Sequence, residues 1–188
     1  MRWLLILVLC SAVLVSNADA EPADKSRDGG PRIRPQDARS TQFLRDGIAR
    51  SATFRALVNR IEASHVFVYI QVSPFIRSTL AGQLTWMTQA GPYRYLRATL
   101  SPEQTSDQGI ASLAHELQHA VEVLADERVV NEKTLVSLYQ RIGQKSSAAI
   151  ASGWETVAAQ EAASRVRREL VESTGATLAA RLFDADHL

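Results

Sequence analysis

Apolar residues along this chain fall into blocks of different period. Trp3 to Val15 is an unbroken run of apolar or small residues after a short positive start, Met1-Arg2. Residues 21–38 (EPADKSRDGGPRIRPQDA) carry charge, Gly and Pro with no apolar period, and read as a flexible leader. From about Ala38 to Ala63 the pattern is helical. Phe43, Leu44 and Ile48, then Phe54, Leu57, Val58 and Ile61, recur at three- and four-residue spacings, and Gly47 and Ser51 divide the stretch into two helices.

The period then changes. His65 to Val72 is rich in β-branched and aromatic residues and predicts a strand that Pro74 ends. Leu80 to Met87 predicts a second strand, and Gly91-Pro92 a turn. Tyr93 to Leu100 alternates Tyr93, Tyr95, Arg97 and Thr99 against Arg94, Leu96, Ala98 and Leu100, as a two-faced third strand does. After Ser101-Pro102 the chain reads as helix to its end. One helix is capped by Ser106 or Asp107 and runs to about Leu124. A second spans about Asn131 to Ile142 and stops at Gly143. The last covers about Ser152 to Phe183, with a break near Gly175. Helices, then about three strands in a small antiparallel or mixed sheet, then helices predict an α+β fold.

Charge and composition narrow the function classes. The 188 residues include 21 Lys plus Arg and 20 Asp plus Glu, a formal charge of +1. That balance favours neither a nucleic-acid partner nor disorder. The apolar run is too short to span a bilayer comfortably and precedes Ala18-Asp19-Ala20, so residues 1–20 read as an export signal cleaved near Ala20. The expected product is periplasmic or secreted and has no membrane segment. Its fold is a single domain over residues 39–188. Cys10 is the chain's one cysteine and leaves with the signal, so any metal must be held by His, Asp or Glu.

Such residues meet in one segment, Ala114-His115-Glu116-Leu117-Gln118-His119-Ala120-Val121-Glu122. On a helix, positions four apart lie one above the other, so two imidazoles from successive turns reach one ion. With His115 at zero on a helical wheel, His119 lies at about 40° and Glu122 at about −20°. Ile110, Leu113, Ala114, Leu117, Val121 and Leu124 fall between about 160° and 260°, a separate packing face. Glu116 is placed to take a proton from a metal-activated water.

The segment resembles the active-site helix of the zinc-dependent metallopeptidases known as zincins. A strand leading into that helix also resembles the zincin order, and the His-Glu-Leu-x-His-Ala-x-Glu core is similar to that of some small exported bacterial proteins. The resemblance implies a zincin-like fold, Zn2+ as cofactor and a peptide or protein substrate, extended here along Tyr93–Leu100. Catalytic zinc takes three protein ligands and leaves one place open. The metzincin third histidine is absent, because Glu122 stands where its glycine would be and Ala125 where the histidine would be. A glutamate remains, as in gluzincins. Glu155 is the expected third ligand, on a helical face shared with Ala159, Ala162, Val166 and Leu170. Glu122 is expected to orient a ligand histidine. The thermolysin-like spacing is not kept, since Tyr139 stands where its third ligand would be and Ala159, not Asp, follows Glu155 by four. Tyr139, Tyr93, Tyr95 and His65 are weaker candidates for stabilising an oxyanion. The alternatives are a catalytically silent binding module on the same scaffold and an exported helical interaction protein without metal.

Overall fold

A computed structural model describes residues 30–76, 79–145 and 154–185 of the chain. The expected export signal, its cleavage point and His187 lie outside these residues. The elements run β1 (Ile33–Pro35), α1 (Ala38–Arg50), α2 (Ala52–Glu62), β2 (Val66–Val72), β3 (Gly82–Ala90), β4 (Tyr93–Leu100), α3 (Ser106–Ala125), α4 (Glu132–Ile142), β5 (Gln144–Lys145), β6 (Trp154–Glu155) and α5 (Val157–Ala185). Among the described residues this is an α+β fold of five helices, a mixed four-stranded sheet and a two-stranded clip of β5 and β6.

Local chemistry sets the helix ends. The Asp37 side chain accepts from Ser40 N and Ser40 answers to the Asp37 backbone, a capping box that starts α1. Ser51 ends α1 and, by accepting from Phe54 N, caps α2, so the division falls at Ser51. Thr105, one residue before the expected cap, starts α3 in a capping box with Gln108. Asn131 starts α4 in the same way with Thr134. Helix α5 passes Gly175 without the expected break.

The four-stranded sheet has the order β1-β2-β4-β3, with β1, β2 and β4 parallel and β3 antiparallel to β4. Two expectations are corrected here. Part of the supposed flexible leader is ordered: Ile33 is buried and pairs with Val68, so β1 extends the sheet. Its signal was a single apolar residue between arginines, too short to show a period. Tyr93–Leu100 cannot take an extended substrate, because it pairs with β2 on one side and β3 on the other and has no free backbone edge. The edge nearest the helix that follows is β3.

Helices cover one face of the sheet. Val66, Val68, Ile70, Leu96, Ala98 and Leu100 meet Phe43, Phe54, Ile61, Ile110, Leu113 and Leu117 in one core. Ala159, Ala162, Val166 and Leu170 of α5 are buried, and the small alanines admit α5 close to α3. The Arg94 guanidinium donates to the Val123 and Asp126 carbonyls, tying the C-terminal end of α3 to β4. These contacts fix α3 at both ends, and its His-Glu segment sits between them.

Candidate metal centre

The packing face of α3 is the one its periodicity predicts: Ile110, Leu113, Ala114, Leu117 and Val121 are buried. The opposite side is not a solvent stripe. Tyr139 of α4 stands edge-on to His119 with ring centroids 5.1 Å apart, and only 5% of His119 is exposed. Glu155 approaches from β6. It precedes α5 instead of lying on it, which corrects the helical placement. Gln144 of β5 pairs with it, so a strand clip supports its backbone. Gly143 permits this approach, since a Cβ there would stand 3.0 Å from the Glu155 carbonyl oxygen.

The three side chains converge. His115 Nε2 is 3.1 Å from His119 Nε2 and 3.0 Å from Glu155 Oε2. One possible ligand atom from each of the three residues lies within 4.8 Å of the other two. Tetrahedral zinc with bonds of about 2.0–2.1 Å sets neighbouring nitrogen and oxygen ligands roughly 3.3 Å apart, so the donor set and its spacing fit such an ion. Among the described residues no other group of three His, Cys, Asp or Glu donors gathers in this way.

Glu122 lies behind this cluster. His119 Nδ1 is 2.8 Å from Glu122 Oε2, which assigns the Nδ1 proton to that bond and leaves Nε2 as a lone pair aimed at His115. The other Glu122 oxygen accepts from Thr156 Oγ1 at 2.6 Å. The same Thr156 oxygen accepts from Ala159 N, starting α5. One threonine thus caps a helix and holds the carboxylate that holds a histidine. Thr156 was not singled out in the sequence; its signal was a capping residue just before the run of alanines that opens α5.

Charge at the site follows from burial and neighbours. Burial pushes His115 down, but the hydrogen bond and charge of Glu155, with help from Glu116 and Glu122, outweigh it and raise its pKa above the ordinary histidine value. The bond to His115 holds Glu155 below the usual carboxylate range against the opposing effect of burial. Glu116 is 4% exposed, and burial pushes its carboxyl up, partly countered by the two histidines. It lies beneath β3: a Cβ on Gly82 would stand 2.6 Å from Glu116 Oε1. The Tyr139 hydroxyl is buried without a hydrogen-bond partner among the described residues, and burial with the nearby Glu122 and Glu116 charges pushes its pKa well above the ordinary value.

The other aromatic candidates are elsewhere. Tyr93, Tyr95 and His65 form an aromatic row with Phe67 on the sheet, Tyr95 stacked on Phe67 and Tyr93 edge-on to His65 and Phe67. Trp154 packs, partly buried, against the core. Chemically, the centre can hold one divalent ion and offers the buried Glu116 carboxyl beside it. Comparison of the chain with family models, with curated proteins and with solved structures gives no match.

Proposed function

We propose that the protein is a zincin-like, gluzincin-type zinc peptidase acting on a peptide or protein outside the cytoplasm. One observation carries this reading: His115, His119 and Glu155 bring three ligand atoms within 4.8 Å of one another, with Glu116 packed beside the same turn of helix. Zinc, when bound, supplies Lewis acidity that lowers the pKa of water towards about 7 and polarises a carbonyl.

The remaining roles belong to the chain. Glu122 keeps His119 in the tautomer that presents Nε2. Glu116, whose carboxyl burial makes more basic, accepts a proton from the attacking water and returns it to the leaving amine. Among the described residues the outer edge of β3 has no strand neighbour, and it runs past Glu116, so an extended substrate pairs there by adding a strand. Half-buried Glu155, with about a third of its side chain exposed, marks the side from which solvent and substrate reach the centre.

The test is hydrolysis of casein or a peptide library by the purified chain, beside Glu116→Gln. Activity in the parent, and its loss in the variant while zinc stays bound, is the expected result. Zinc bound in both without hydrolysis in either would favour the silent binding scaffold instead. The near-complete burial of Glu116 beneath β3 is the observation that favours that second reading.

A further inference from the structure

The face of the sheet opposite the helices has a character of its own. Strand alternation places Phe67 and Tyr69 of β2, Tyr93, Tyr95 and Arg97 of β4 and Arg34 of β1 on this side, while their neighbours enter the core. Two guanidinium groups converge on one ring. The Arg32 and Arg34 Cζ atoms are each 4.4 Å from the Phe67 centroid, so the two charges stand within about 9 Å of each other. Arg32 also lies 5.0 Å from the Tyr93 ring, and Arg34 lies 5.7 Å from Tyr69. Arg97, a third cation, pairs across the strands with Tyr69.

Among the described residues these guanidinium groups, of Arg32, Arg34 and Arg97, have no ion-pair partner. The Glu62 carboxylate accepts from the backbone N–H groups of Arg32 and Ile33 with one oxygen each. Arg34 is held in place by bonds from Nε to the Pro31 carbonyl and from Nη1 to the Tyr69 hydroxyl. Arg32 Nη1, by contrast, is buried and has no acceptor among the described residues.

We propose that Arg32 and Arg34 form a binding site for a phosphate- or sulfate-type oxyanion on the face of the sheet opposite the helices. With Arg34 Nε and Nη1 already donating, Arg34 Nη2 and the Arg32 Nε and Nη2 groups remain as unbonded donors among the described residues, and a tetrahedral anion with several oxygens matches donors from two guanidinium groups. The rings of Phe67 and Tyr93 fix Arg32 from the side, so little freedom is lost on binding. The site lies on the opposite side of the sheet from the core that buries α3 and does not rest on the metal reading.

Calorimetric titration of the full chain with inorganic phosphate, at constant ionic strength against chloride, tests this. Saturable binding is expected, weakened about tenfold or more in Arg32→Gln and in Arg34→Gln. It is expected to persist in the exposed-site control Arg165→Gln and in His115→Ala/His119→Ala, which separates it from phosphate held at a metal. Arg34→Lys keeps the charge but not the fork and is expected to weaken binding too. Co-sedimentation with phosphatidylglycerol against phosphatidylcholine vesicles separates a free anion from a lipid headgroup. Retention on phosphatidylglycerol alone, lost in both glutamine variants, assigns the site to a headgroup phosphate. Absence of phosphate binding together with absence of vesicle preference, or binding unchanged in both glutamine variants, overturns the proposal. Unchanged thermal unfolding of the Arg34 variants shows that any loss is not a loss of fold.

Discussion

Gly82 and Glu116 are in contact across the boundary between β3 and α3. A Cβ on Gly82 would stand 2.6 Å from Glu116 Oε1 and 3.1 Å from its Cγ. Glu116 is buried and has little room to yield. Gly82→Ala is therefore expected to shift the carboxylate without touching the three ligand side chains. A displacement of about 1 Å costs roughly a hundredfold in rate, so peptidase activity should fall by about that factor while zinc content is kept. Steady-state hydrolysis beside zinc analysis checks it; full activity in Gly82→Ala would remove Glu116 from the proton-transfer role.

Thr156 connects helix start to ligand orientation. Thr156→Val removes the bond to Glu122 and the one to Ala159 N. The lost cap costs about 1 kcal/mol, and the loosened Glu122 weakens zinc binding by about 10- to 100-fold. Thr156→Ser keeps the hydroxyl and should restore both. Denaturant unfolding and competitive zinc titration separate the two effects.

The Tyr139 hydroxyl carries a desolvation cost that no bond from the described residues offsets. Tyr139→Phe keeps the ring against His119 and removes that cost. The variant should be as stable as the parent or more so, by up to about 1 kcal/mol. Urea unfolding measures this, and a clear loss of stability would reveal a partner for the hydroxyl.

Acid sensitivity should come from two helix-capping carboxylates. Burial pushes Asp37 up, but hydrogen bonds from Ser40 and Val72 outweigh it and lower its pKa. Glu169 is lowered in the same way by Ser51 and Thr53, at the start of α2. Both groups stay ionised in the folded chain at pH values where the unfolded chain binds protons. Their contribution is fully present above the ordinary carboxylate range, about pH 4, and is lost as pH falls through the lowered folded values. Asp37→Asn and Glu169→Gln should each flatten the fall in melting temperature below about pH 4, with no change near neutrality in the slope of stability against pH.

Much of this arrangement was legible in the chain because helical geometry is local. The His115–His119 spacing and the apolar face from Ile110 to Leu124 depend only on one element's period. Glu155 was found through the small, apolar positions that follow it, which are buried, although the residue itself closes a two-residue strand. What was not legible depends on pairing between distant segments. No local pattern says that Tyr93–Leu100 lies between two strands. The near-continuous apolar run of β2 was the available hint of a strand in parallel pairing. Likewise the cover that Gly82 and β3 place over Glu116, and that Tyr139 places beside His119, arises only when the sheet and α4 close on α3.

The ratio of zinc to protein in the purified chain tests the central claim most directly. One zinc per chain is predicted, lost in His115→Ala/His119→Ala, sharply weakened in Glu155→Ala and retained in Glu116→Gln. A chain that takes up no zinc when it is supplied, or that holds it equally well without the two histidines, would contradict the account.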